Sequence, residues 1–387
     1  MKIFEGVDYK VVSFMALVFI SGFARFESEY LVEQVYYAFP IDFLIDHNRD
    51  IAGMVMLFLF VRLILSFQLS GVFDVVEIYP LIGFNVFLSL KMLLQQNELW
   101  YRNILGVFVL YGLYLVSSEF FKKKNSYSIL LRLAPLVSAL LIVTVIYMYT
   151  IGGEDSIAWG TEYFFFSSHR NHSGAVWALM SLLLVSSFFF GEGKHRFLIS
   201  IFFVFTFSFL VLTGSRGSLI SFLLGVFVVL RFLRINIFGF ALVVVPLLAI
   251  LGVAFYDDLY DFYMSQAERG NTRELVYAVA VEDFLNNLIF GAPITEGRAL
   301  YVENTVLAFM QLGGLLGLVV VVLFYFNCFK KLSVVFLRGD YSPEIVTMLS
   351  LFVCAISASM FEAFPLNFIS SGLLMFIIPL SYFRNVK

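Results

Sequence analysis

The sequence predicts an all-α, polytopic membrane protein, a bundle of about twelve transmembrane helices forming one domain, and three observations carry that expectation. Hydrophobic residues make up 61% of the 387 positions and charged ones only 14%, far below the roughly one quarter typical of a soluble globular domain. Apolar stretches of the about 17–25 residues that cross hydrocarbon as helix recur along the chain. The lysines between them fall almost entirely into every second loop. A net charge of −3 says little for a chain mostly in lipid, and no nucleic-acid partner is expected.

Taken in order, the apolar stretches lie near residues 8–25, 51–70, 73–94, 101–121, 128–151, 173–191, 197–213, 217–233, 237–255, 304–329, 343–361 and 366–383. Lys2 and Lys10 precede the apolar part of the first, but no small-residue cleavage site follows it as a secretory signal requires. It is expected to stay as a span. Cys328 and Cys354 fall inside apolar stretches, where a thiol behaves as a small buried hydrophobe, so no disulfide is expected. No low-complexity linker or soluble domain interrupts residues 1–387, which are read as a single integral membrane domain.

Sidedness follows from the basic residues, which accumulate in short loops on the cytoplasmic side. Lys122, Lys123 and Lys124, then Lys194 and Arg196, Arg231 and Arg234, Lys330, Lys331 and Arg338, and finally Arg384 and Lys387 all share one parity. Both termini are therefore expected to be cytoplasmic. The opposite face receives loops 26–50, 95–101, 152–172, 214–216, 256–303 and 362–365.

The outer loops carry arginine in place of lysine: Arg49, Arg102, Arg170, Arg216, Arg269, Arg273 and Arg298. A guanidinium binds phosphate through two parallel hydrogen bonds, whereas an ammonium acts as a hydrated point charge. The alternative is that translocated loops simply tolerate arginines that snorkel to headgroups. Arg216 stands in TGSRGSL, at a turn that avoids the cost of about 2.5–3.5 kcal/mol for an arginine at a helix centre in lipid. Gly214, Ser215, Gly217 and Ser218 leave backbone accessible at the start of the next helix, where N–H groups favour an anion. A tight small-residue turn would read the same way.

The long outer loop 256–303 includes NTRELVYAVAVEDFLNNLIFGAP. Asn271 followed by Glu274 resembles a capping box, and Leu275, Val276, Val279 and Phe284 fall roughly on one face. This predicts a short amphipathic helix on the outer surface or across the bundle. Asn286, Asn287, Gly291 and Pro293 then turn the chain back toward YVENTVLAFMQLGGLLGL.

TGSRGSL after an apolar helix, TREL opening an amphipathic helix, NNLIFGAP, and ENTVLAFMQLGGLLGL resemble, in order and spacing, the O-antigen polymerase and O-antigen ligase superfamily of bacterial envelope glycan assembly. The resemblance covers roughly residues 197–325, with HRNHSGA before the sixth stretch also similar. It implies a fold of the helical C-type glycosyltransferase class in the inner membrane, with its active face periplasmic. The implied activity is metal-independent transfer from an undecaprenyl-diphosphate-linked glycan, with no cofactor. The acceptor would be a second lipid-linked glycan, and partners would include membrane lipids, a chain-length regulator and a flippase. By position, Arg216 and Arg273 match the arginines that hold the donor diphosphate. Ligases commonly place a histidine before the Asn of the last motif, where this chain has Glu303 before Asn304, a difference that favours polymerase over ligase.

The chemistry asks for fixed cations at the leaving diphosphate and a base for the acceptor hydroxyl. Glu303 is the candidate base, with Arg216 and Arg273 as the catalytic cations. Arg170, His169, His172, Arg298 and Asn304 are candidate glycan-binding residues. Glu303 could equally be a first-turn carboxylate favoured by the helix dipole. His169 and His172 lack the further ligands a metal site needs. Asp74, Glu77, Lys91, Arg62, Arg132 and Glu362 lie in or near spans, where ionisable groups often mark pathways, so a lipid-linked glycan transporter is the competing class.

Overall fold

The computed structural model describes residues 9–23, 39–40, 43–44, 47–65, 76–97, 100–123, 125–153, 158–159, 162–163, 165, 170–191, 195–233, 272–294, 302, 304–338, 341–363 and 371–385. These are helical apart from turns and a two-residue antiparallel ladder, Ala158–Trp159 with Glu162–Tyr163, which the apolar pattern does not predict. In chain order the helices are α1 (Tyr9–Ile20), α2 (Asn48–Leu65), α3 (Tyr79–Leu94), α4 (Trp100–Phe121), α5 (Ser126–Gly152) and α6 (Arg170–Phe190). They continue as α7 (Arg196–Leu212), α8 (Arg216–Phe232), α9 (Thr272–Asn286), α10 (Thr305–Arg338), α11 (Pro343–Ser359) and α12 (Ser371–Asn385). The predicted span 237–255 lies outside the described residues.

Four segments are long and apolar enough to cross a membrane: Asn103–Phe121, Ser126–Gly152, Arg170–Phe190 and Thr305–Val334. Segments Lys10–Phe23, Tyr79–Leu94, Arg196–Leu212 and Pro343–Ser359 are apolar but shorter. Local chemistry sets several boundaries. Ser215 caps α8 by accepting from the Ser218 N–H, and Ser342 does the same for α11 from Ile345, ahead of Pro343 at the first position.

Two helices form the centre. Along α6, Ala175, Trp177, Leu179, Leu182 and Leu184 are buried, and nearly every residue of α12 is buried too. Small residues make this possible. Gly174, Ala175, Ala178 and Ser181 keep α6 slim enough for close helix approach, the usual device where no hydrophobic force drives helices together in lipid, and Ser181 donates to Thr206 of α7. The perimeter is apolar as well: Leu136, Leu140 and Val143 of α5 and Val319, Val322 and Phe326 of α10 are exposed. That pattern, apolar inside and out, is what a bundle bathed in hydrocarbon requires.

Polar contacts gather at two ends. At one, Lys10 and Lys122 pair with Glu119, Lys331 pairs with Glu77 at 2.8 Å, and Tyr114 donates to Glu77 at 2.9 Å. Asn385 donates to the Ser118 carbonyl at the same end. The helices alternate in direction, so the starts of α6, α8, α10 and α12 meet the far end of α11 at the other. There Ser21 lies 3.1 Å from Ser371.

Helix α10 is not continuous. Gly314 sits at φ 60°, ψ −140°, a conformation only glycine adopts without strain. The freed backbone groups are satisfied from elsewhere. The Leu315 N–H donates to the Leu288 carbonyl at 2.7 Å, and the Gln311 carbonyl accepts from Ala292 at 2.8 Å. The Lys91 ammonium of α3 donates to the carbonyls of Phe290, Ala292 and Leu312 at 2.7, 2.6 and 2.8 Å. Non-helical backbone inside a membrane protein persists where protein re-satisfies it in this way.

The predicted helix in the long loop is present as α9, but its buried face differs from the expected one. Leu275 is 72% exposed, and Val276 and Val279 are also exposed, whereas Ala280 and Asp283 are buried. Asp283 accepts from the Gln311 side chain at 2.8 Å. A polar pair, unreadable from apolar periodicity, turns the helix.

Candidate functional site

At the end opposite the lysines, three sequence motifs converge. Helix α6 begins at Arg170 of the RNHSGA segment, the TGSRGSL turn joins α7 to α8, and Asn304 and Thr305 open α10. The last turn of α11 threads between them. Ser215 donates to the Ser218 hydroxyl at 2.9 Å, and Ser218 in turn reaches the Asn171 carbonyl at 3.4 Å. Asn171 donates its side-chain amide to Glu362 Oε1. Thr305 donates to the Glu362 carbonyl and Asn304 to the Met360 carbonyl, each at 2.9 Å. Asn304 Oδ1 also accepts from the Leu307 N–H at 3.1 Å and so caps α10.

Small residues bring these strings of polar groups together. A Cβ on Gly174 would stand 2.7 Å from Ser215 Cβ, and one on Gly217 would stand 2.5 Å from Phe361 Cβ. The glycines of both motifs are thus spent on close approach of α6, α8 and α11. Arg216, by contrast, is exposed at the first position of α8. It stands on a buried base of Ser215, Gly217 and Ser218.

The loop helix reaches the same end. Ala280 of α9 packs with Val302, Ala308 and Ala363, and Ala363 follows Glu362. Arg273 lies in the first turn of α9, so the elements bearing the two candidate diphosphate arginines belong to one end of the bundle.

The remaining expected residues divide as follows. Arg170 is half-buried at the start of α6. His172 is 2% exposed, inside the helix packing and not on an outward face. Asn304 serves as a cap and a brace. His169, Arg298 and the expected base Glu303 lie outside the described residues. Among the described residues, no group of three His, Cys, Asp or Glu side chains could hold a metal ion.

Two residues stand out that the sequence marks only as ionisable groups near spans. Glu362 is 2% exposed, a carboxylate enclosed at the centre of the convergence. Lys91 clamps the loop after α9 to the break in α10. Glu77, in the same group, lies at the opposite end in an ion pair with Lys331. No protein-family model matches this chain, and no curated protein matches it.

Proposed function

We propose that the chain is a bacterial inner-membrane glycan polymerase, extending O-antigen, capsule or exopolysaccharide. It transfers an undecaprenyl-diphosphate-linked glycan to the non-reducing end of another lipid-linked repeat unit. The observation that carries this reading is the convergence of the RNHSGA and TGSRGSL segments with Asn304 and Thr305 at one end of an apolar bundle, to which the TREL helix is joined through Ala280. In the full reading about twelve helices cross the membrane in a C-type glycosyltransferase arrangement, with that end periplasmic and both termini cytoplasmic.

Arg216 and Arg273 hold the donor diphosphate. The acceptor hydroxyl attacks the anomeric carbon from the face opposite the diphosphate, so configuration inverts. The carbon–oxygen bond to the diphosphate breaks, its electron pair stays on the phosphate oxygen, and the arginines stabilise that charge without reorganising. Glu303 takes the hydroxyl proton. Arg170, His169 and Arg298 contact the glycan, while the buried His172 and the capping Asn304 brace the helix starts behind them.

The test is whether purified protein, given a lipid-diphosphate oligosaccharide and no other protein, builds a ladder of longer glycans. Arg216→Lys and Arg273→Lys keep charge but lose bidentate contact, so each is expected to lose most activity, while Arg338→Lys at the lysine-rich end stays close to wild type. Full-length polymer at normal rates from both outer variants would move phosphate recognition elsewhere. Ligation onto a lipid A core, with no ladder, would favour the O-antigen ligase reading. A lipid-linked glycan transporter has one observation in its favour, the break in α10, because discontinuous helices line transport sites. Such breaks come in symmetry-related pairs, and among the described helices no second is present.

A further inference from the structure

Lys91 lies in the last turn of α3, and all of its hydrogen-bond partners among the described residues are backbone carbonyls: Phe290 at 2.7 Å, Ala292 at 2.6 Å and Leu312 at 2.8 Å. They belong to two separate pieces of chain. Phe290 and Ala292 sit in and just after the turn that prolongs α9 past Asn286, while Leu312 stands two residues before Gly314, at the end of the helical run that Thr305 starts. That run folds back on the rest of α10. A Cβ on Gly317 would collide with the Phe309 carbonyl, although eight residues of continuous helix rise about 12 Å. Likewise Tyr325 lies 2.6 Å from Ser359, next to the Met360 and Glu362 carbonyls that receive Asn304 and Thr305. Gly314 is thus the apex of a helical hairpin, and Lys91 is bonded into it.

The C-terminal ends of α3, of the α9 segment and of the run 305–313 meet at this point. Each presents carbonyls that have no intrahelical donor and the negative end of a helix dipole, so the meeting place favours a cation. Where unwound backbone and half-helix C-termini converge in membrane proteins, the usual occupant is a small coupling ion. Here the occupant is attached to the chain. Its three contacts have the length of charge-assisted hydrogen bonds and use the full donor capacity of an ammonium. The cage around it is backbone packed on backbone: a Cβ on Gly291 would stand 2.6 Å from the Gln311 carbonyl oxygen, and Gln95, just past α3, accepts from the Ile294 N–H at 2.9 Å and holds the loop in place.

We propose that the break in α10 is a monovalent-cation site whose cation is the side chain of Lys91, so that the fold needs no sodium or potassium there and couples to no ion gradient through it. The ligand class the cage accepts is a primary ammonium, which brings one positive charge and an N–H donor for each of the three carbonyls. Lys91 is partly exposed, so a small amine can reach the cage once the tether is cut. The proposal does not depend on the polymerase reading. It bears instead on the transporter alternative, whose broken helix would carry a coupling ion.

The experiment follows thermal unfolding of the full chain in detergent. Lys91→Ala removes the stem and the ammonium but leaves the carbonyls, and its midpoint should fall below wild type. Adding n-propylammonium, which supplies the missing atoms, should recover most of that loss in a saturable way. Tetramethylammonium, which has the charge without N–H donors, and n-propanol, which has no charge, should recover none. Lys91→Met, whose own side chain occupies the cage, should fall and stay down. Wild type should be indifferent to n-propylammonium and to replacement of sodium and potassium by choline. A Lys91→Ala midpoint equal to wild type overturns the proposal, as does no recovery with n-propylammonium or equal recovery with tetramethylammonium, which would reduce the effect to ionic strength. A wild-type midpoint that drops in choline overturns it with no variant at all, so the test stands even where Lys91→Ala does not fold.

Discussion

Lys91 and Glu362 place ionisable side chains among helices with apolar perimeters, and each is tied down by backbone or amide groups. For Lys91 the partners are three carbonyls. Lys91→Met keeps much of the aliphatic stem but removes every donor, leaving those carbonyls without the ammonium. Net hydrogen bonds to charged groups are worth about 1.5–3 kcal/mol each, and part of this cage is solvent-accessible, so we expect a loss of about 2 kcal/mol. Thermal unfolding in detergent measures it; a midpoint equal to wild type would mean the cage contributes nothing. Glu303 raises a different question, because a base and a structural cap respond oppositely to the same change. Glu303→Gln keeps shape and removes basicity, so single-turnover transfer should slow by about 10²-fold or more while donor binding holds. A normal transfer rate would remove Glu303 from the mechanism and direct attention to the enclosed carboxylate of Glu362.

Among the elements, the broken α10 is the most demanding. A Cβ on Gly314 would stand 2.5 Å from the Leu288 carbonyl oxygen and 2.7 Å from the Gly291 nitrogen, at a positive φ. Gly314→Ala is therefore expected to cost more than about 2 kcal/mol, combining backbone strain of about 1–3 kcal/mol with overpacking. Gly53, inside α2 with nothing within 4 Å of where an added methyl group would stand, offers the contrast: Gly53→Ala should be neutral or stabilise by about 0.5–1 kcal/mol. Paired unfolding curves in detergent decide this, and similar midpoints for both variants would contradict it. The same elements show what could be read from sequence. Helices were legible wherever an apolar run met a cap or a charged loop, as with α8 behind Ser215 and α11 behind Ser342. The buried face of α9 was not, because in a chain apolar on all sides periodicity stops distinguishing inside from outside. Its orientation depends on Asp283 meeting Gln311, and that is a tertiary fact. The Arg216 turn was conspicuous for its glycines and serines, which by sequence leave backbone open to an anion and in the structure instead pack against Phe361 and cap α8, whereas Glu362 was not, because its partner Asn171 is 191 positions away.

For the whole molecule, the segregation of contacts into two ends makes orientation a single choice. If Lys122 and Lys123 face the cytoplasm, then Arg216 faces outward, and loop 256–303 is expected from the charge pattern to do the same. Ala267→Cys in an otherwise cysteine-free chain should react with a membrane-impermeant thiol reagent in intact cells whose outer membrane is permeabilised. Labelling only after lysis would reverse the assignment. The ion pairs of Glu77 and Glu119 hold Lys10, Lys122 and Lys331 together at one end of the bundle.

The break in α10 also has a consequence for the order in which the protein is made. The ammonium of Lys91 waits for carbonyls that leave the ribosome 199 to 221 residues later, and at synthesis rates of about 5–20 residues per second that is a delay of tens of seconds. Through that interval the Lys91 cation is without its three carbonyls, and the loop behind α9, which emerges before α10, is in place to receive the break in it. A nascent chain stalled before Leu312 would be expected to leave Lys91 more reactive toward amine-directed reagents than in the finished protein, where three carbonyls hold it.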